Sequence, residues 1–86
     1  MITTRYRVWV IINPPSSPEF RSVDSPEEGA RLIYRVAIQQ LQDDRIWGNA
    51  FGLEEYRGSE WSEWENDEYE DVRELSDHME GKGELT

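Results

Sequence analysis

The residues of this chain best equipped for chemistry are carboxylates, and they are massed at one end. Residues 54–86 hold Glu54, Glu55, Glu60, Glu63, Glu65, Asp67, Glu68, Glu70, Asp71, Glu74, Asp77, Glu80 and Glu84 against Arg57, Arg73 and Lys82. Residues 1–53 are balanced, with Arg5, Arg7, Arg21, Arg31, Arg35 and Arg45 offset by Glu19, Asp24, Glu27, Glu28, Asp43 and Asp44. The formal charge of −10 therefore belongs to the C-terminal segment alone. Carboxylates can act as general acids and bases, as cation ligands, or as a charged recognition surface. An acid–base pair needs two groups in different environments, and a run of solvated acids offers no such contrast. His78 is the only histidine and lies among Glu74, Asp77 and Glu80, without the nucleophile context that a triad requires. No catalytic residue is assigned, and the chain reads as a non-enzyme. Asn66-Asp67-Glu68-Tyr69-Glu70-Asp71 is rich in oxygen ligands but lacks the alternating pattern and mid-loop glycine of a calcium loop. With no cysteine in the chain, a Cys-based zinc site is excluded. No metal or cofactor is expected.

Recognition is the use that survives. Tyr56, Trp61, Trp64 and Tyr69 are set among the acids, and aromatics ringed by carboxylates suggest a shaped anionic surface aimed at a basic partner. The candidate partner-binding residues are Glu60, Trp61, Glu63, Trp64, Glu65, Asp67, Glu68, Glu70 and Asp71. Trp61 and Trp64, three apart, fall on opposite faces of a strand but on one side of a helical turn. One reading makes one of them a core anchor while the other covers the sheet edge; the other reading makes one an exposed interface anchor. Seven acids lie between positions 60 and 71, with no cation from Arg57 to Arg73. Extended, that is one charge per ~6 Å at a rise of ~3.3 Å per residue, against ~1.7 Å of axis in duplex DNA. A helix would give one per ~2.6 Å at its ~1.5 Å rise. Duplex-like density thus requires helix here, or folding against other acidic elements. A solvated face that serves only solubility is the alternative.

Other partners are disfavoured. Arg5, Arg7, Trp9 and Trp47 are basic and aromatic, but balanced arginines make no basic stripe and the acidic segment repels phosphate. Direct nucleic-acid binding is not expected. Val8–Ile12 is too short for the apolar centre of a leader, and no run approaches the ~20 apolar residues of a membrane span. A cytoplasmic protein without membrane contact is expected.

The elements that must position these residues follow from periodicity. Residues 5–12 read as a strand, with Tyr6, Val8, Val10 and Ile12 on one face and Arg5, Arg7, Trp9 and Ile11 on the other. The proline-rich stretch from Asn13 to Pro18 ends it, and 20–23 is a short second strand. Ser25, Pro26 and Glu28 make a capping box with proline at the first helical position, opening a helix over 26–42. Its apolar stripe is Ala30, Ile33, Ala37 and Leu41, with Leu32, Tyr34 and Val36 beside it. Residues 46–56 read as a third strand, with Trp47, Phe51 and Leu53 on one face. Gly48, Ala50 and Gly52 leave the other face bare, as where something packs close to the backbone. Arg57-Gly58-Ser59 turns the chain into a fourth strand over 60–65. A last helix is expected over 67–79, with Tyr69, Val72, Leu75 and Met79 at helical spacing. The fold class is α+β: a small antiparallel sheet of three to four strands with one main helix packed across it, β-β-α-β-β, and a short C-terminal helix. Residues 1–80 form one domain, and 81–86 a flexible tail. The predicted core includes Val8, Val10, Ile33, Val36, Ala37, Phe51 and Leu53.

An aromatic first strand running into Asn13-x-Pro15, then Ser25-Pro26-Glu27-Glu28-x-Ala30, Asn49-Ala50-Phe51-Gly52-Leu53-Glu54, and Glu60-Trp61-Ser62-Glu63-Trp64 before an acidic end, resembles a family of small acidic bacteriophage proteins. The resemblance extends to about Asp71. It implies an accessory protein outside the virion, of the superinfection-exclusion or anti-defence type, with no catalytic motif. The expected function is stoichiometric binding in which the acidic aromatic surface occupies a basic, nucleic-acid-binding site on a host protein such as a defence nuclease. The alternative is a structural or assembly module, such as a homodimer, whose charge maintains solubility.

Overall fold

The computed structural model describes residues 5–85. Its elements in chain order are β1 (Tyr6–Ile12), β2 (Glu19–Val23), α1 (Pro26–Leu41), β3 (Asn49–Arg57), β4 (Glu60–Glu63) and α2 (Val72–Gly81). The strands form one antiparallel sheet in the order β2-β1-β3-β4. Both helices pack on the same face and against each other. The α+β layering expected from the sequence is the observed one.

Register explains the core. Val8 lies opposite Leu53 and Val10 opposite Phe51 across β1 and β3, while Tyr6 faces Val23 of β2. These side chains all point to the helix side, where Val8, Val10, Val23 and Leu53 join Ala30, Trp64, Val72, Leu75, Met79 and Leu85 in one buried cluster. Val36 is buried as predicted, whereas Ile33, Ala37 and Phe51 are half-buried at its margin. Gly29 brings α1 down onto the sheet: a Cβ there would stand 2.9 Å from Leu53 Cδ1.

Both helices begin with the same device. Ser25 Oγ accepts from the Glu28 N–H at 3.1 Å, and Glu28 Oε2 reaches back to the Asp24 N–H at 3.1 Å. Asp71 Oδ1 accepts from the Arg73 and Glu74 N–H groups, and Glu74 Oε2 returns to the Glu70 N–H at 3.0 Å. Each pair satisfies helix N-terminal donors that would otherwise be orphaned. The second cap also explains why α2 starts at Val72 and not at 67. Asn66 Oδ1 accepts from the Glu68 and Tyr69 N–H groups, both at 2.8 Å, and this side-chain turn competes with helix.

Three further differences from the sequence reading have physical causes. Leu41 ends α1 almost fully exposed, and Trp47 lies before β3 with 74 % of its surface open. Asn13 holds this corner, its Oδ1 accepting from the Trp47 and Gly48 N–H groups at 2.8 and 3.2 Å. Trp47 therefore belongs to a pinned loop rather than to the strand. Residues 81–85 are docked, not loose. Gly83, at φ +72°, gives its N–H to Glu80 C=O at 3.0 Å, and Glu84 gives its own to Met79 C=O at 2.8 Å. That is the Schellman closure of a helix, and it turns Leu85 back into the core. Thr86 lies outside the described residues. Finally, β4 is four residues long because the chain leaves the sheet at Trp64.

Candidate functional site

An antiparallel sheet with helices on one side commonly turns a polar face to water on the other. Here the open face is aromatic. Alternation puts Arg7, Trp9 and Ile11 of β1, Phe20 of β2, Ala50, Gly52, Glu54 and Tyr56 of β3, and Trp61 and Glu63 of β4 on that side. The Arg7 guanidinium carbon sits 4.0 Å from the Phe20 ring centroid and 4.1 Å from that of Trp61. Arg7 Nε also donates to Glu54 Oε1 at 2.7 Å. The cation is thus held by two rings and a carboxylate, an arrangement worth more as its members lose water. Tyr56 leans on Trp61 with centroids 5.3 Å apart. Trp9 packs over Gly52, whose missing side chain is the space the indole occupies. The close approach signalled by the small residues of β3 is made by this side chain of the adjacent strand.

Phe20 and Tyr56 expose 49 % and 41 % of their surface, so the platform remains open to a partner despite its internal packing. Arg7 is already paired with Glu54 there. What borders the platform on the β4 side is acidic.

The residues singled out in the sequence divide into three groups. Glu60, Glu63, Glu65, Asp67, Glu68 and Glu70 are exposed along β4 and the loop that follows. Trp61 is half-buried, one side on Arg7 and the other towards solvent. Trp64 and Asp71 are committed to the fold. Trp64 is 4 % exposed, its N–H bonded to Leu53 C=O at 2.9 Å and its ring stacked on Tyr69 at 6.4 Å between centroids. Asp71 is the cap of α2. Neither is available as a free contact.

Fold also gathers acids from outside this segment. The Tyr69 hydroxyl is pushed above its ordinary value of 10.0, first by loss of solvent and then by the negative charge of Glu68, Glu27 and Glu84. Arg31 Nε donates to the Glu84 C=O at 3.1 Å, so the C-terminal residues lie against α1. The loop itself is irregular, so its own charges do not reach the spacing that a helix would give them. Glu55, by contrast, is a buried carboxylate with a structural role: it accepts from Arg57 at 2.7 Å and lies 3.6 Å from Arg5. Arg57 also donates to the Glu65 C=O at 3.0 Å, tying the acidic loop to the sheet.

Among the described residues no group of histidine, cysteine and carboxylate side chains could hold a metal ion, and no helix is long and apolar enough to cross a membrane. Sequence reasoning named Arg7 and Trp9 but missed Phe20, Tyr56 and Glu54 as their companions. Only the pairing register brings Phe20 and Glu54 to Arg7, and Tyr56 to Trp61. No family model matches the chain, and no curated protein and no solved structure matches it.

Proposed function

We propose that this is a stoichiometric binding protein that works through the seam between its open aromatic face and its acidic edge. Its partner is a basic protein surface of the kind that otherwise binds nucleic acid. The accessory, anti-defence role of small acidic bacteriophage proteins is the setting we infer for it. The observation that carries this reading is Trp61. It is half-exposed on an edge strand, braced by Arg7 and Tyr56, and followed by Glu63, Glu65, Asp67, Glu68 and Glu70, all facing water. A braced aromatic loses little freedom on binding and can serve as the desolvated anchor, while the carboxylates steer a basic partner into encounter.

The test is capture of host proteins at low and high salt, followed by kinetics with the captured partner. Glu63→Gln, Glu65→Gln, Asp67→Asn and Glu68→Gln together remove four charges while keeping size. Association should slow and its salt dependence flatten. An unchanged rate and salt slope would reduce the acids to a solubility role.

A second reading rests on Phe20, Trp9 and Ile11. An exposed aromatic sheet face can pack on its own copy, making the protein an assembly module. Sedimentation of the parent and of Phe20→Ser decides between them: a dimer lost in the variant favours assembly.

A further inference from the structure

The sheet has an unfinished edge. β3 runs from Asn49, but β4 pairs only with residues 54–57, and the last link to the chain beyond it is Trp64 N–H to Leu53 C=O at 2.9 Å. Backbone groups alternate in direction along a strand, so those of Phe51 and Asn49 point the same way as those of Leu53. They point into the space that β4 has vacated. Among the described residues no backbone hydrogen bond between elements reaches Phe51 from that side. Beside this edge lies a groove of about 570 Å³, lined by Ile33, Phe51, Val72 and Ser76 on the helix side and by Trp9, Ala50 and Glu63 on the open side.

We propose that this groove takes an extended segment of a partner protein, added antiparallel to β3 as a strand in line with β4, with alternating β-branched and basic residues. The unpaired edge fixes the conformation, because only an extended backbone offers donors and acceptors at the spacing of Asn49 and Phe51. The two walls fix the alternation. Side chains in line with Phe51 enter between the sheet and α2, where Ile33 and Val72 favour apolar branched groups. The alternate side chains lie over Ala50 and beside Trp9, within reach of the Glu63 carboxylate, which favours lysine or arginine. Arg73 at the α2 lip is the one cation among the described residues that line the groove, and the acidic loop between β4 and α2 repels an acidic segment. Trp64 makes the vacancy: by diving into the core it draws the chain away from β3 and leaves the edge uncovered. This groove shares Trp9, Glu63 and the basic character of the partner with the proposed function, but strand pairing at Phe51 can fail with Phe20, Tyr56 and Trp61 intact.

The probe is an acetylated, amidated heptapeptide of alternating lysine and valine, compared with the same peptide N-methylated at alternate backbone positions. Charge and side chains are equal in the two, and only strand pairing differs. Binding followed by amide spectra should perturb Asn49–Gly52, Glu63 and Val72–Ser76. Exchange of the Phe51 amide should slow by about tenfold or more, and N-methylation should weaken binding by about tenfold, the worth of one or two backbone hydrogen bonds. Ser76→Trp, which fills the groove from α2, should abolish the perturbation at Phe51 while leaving Phe20 and Trp61 unaffected. Equal binding of both peptides would overturn the proposal in favour of charge attraction alone. A dimer in which the Phe51 amide is already protected without peptide would also overturn it, since a second copy would then occupy the edge. The comparison of the two peptides uses the parent protein and does not depend on the variant folding.

Discussion

The two faces of this sheet are built from the same strands and used in opposite ways. On the helix side, Val8, Val10 and Leu53 are aliphatic, closely packed and shut from water. On the open side, Phe20, Tyr56 and Trp61 pack on one another or on Arg7, Trp9 packs over Gly52, and all four are partly wet. Trp61 and Trp64 stand for the two regimes within four residues. Trp64 turns inward and closes the core over α2; Trp61 turns outward and is held upright by a cation. Aliphatic burial stabilises the fold, whereas braced aromatics left at the surface stabilise it little. Under the function proposed above, their arrangement is a surface prepared for contact.

That contrast can be broken most severely at Trp64. Trp64→Ala should cost about 3–5 kcal/mol, enough to unfold most of the domain, measured by chemical denaturation. If the protein keeps its stability, the helix-side core is misassigned. Leu85→Ala should cost about 2 kcal/mol by emptying the site to which the Schellman turn delivers it. No loss would mean that the C-terminal residues contribute nothing to the core. Gly52→Ala forces a methyl group into the rigid indole of Trp9 and should cost about 1–3 kcal/mol. Because this strain falls on the open face, it should also shift the fluorescence of Trp9. A neutral substitution would show the indole free to swing away.

Smaller effects sharpen the comparison from the helix side. Ser25→Ala and Asp71→Ala each remove a capping acceptor and should cost about 1 kcal/mol apiece. They lie at different helices, so their effects should add. Failure of either alone would move that helix start.

Much of the helix-side face was legible because its signals are local. Val8 and Val10 alternate, Ser25-Pro26-Glu27-Glu28 announces α1, and Gly58-Ser59 makes the two-residue hairpin turn with both φ values positive. The open face was legible only in fragments. Arg7 and Trp9 were visible as a polar–aromatic face, but Phe20 and Trp61 reach Arg7 through pairings that no local spacing reveals. Trp61 and Trp64 could be separated only once residues 60–63 were known to be strand, since a helical turn would have set them together. The start of α2 was misread because Glu68, Glu70 and Asp71 suit a helix N-terminus, while the Asn66 side-chain turn that delays it is a matter of geometry. Leu85 was missed because a glycine-flanked terminus looks loose unless Gly83 is recognised as the left-handed residue of a helix stop.

If the open face is for contact, as proposed, and the helix side for stability, Trp61 is the residue at which the two roles separate. The decisive measurement is the melting curve of Trp61→Ala beside its dissociation rate from the captured basic partner. The expected result is a stability loss of no more than about 1 kcal/mol, the worth of its contact with Arg7, together with dissociation at least about tenfold faster, as for an anchor worth about 1.4 kcal/mol or more. A variant that melts as early as Trp64→Ala and still holds the partner as long as the parent does would contradict it.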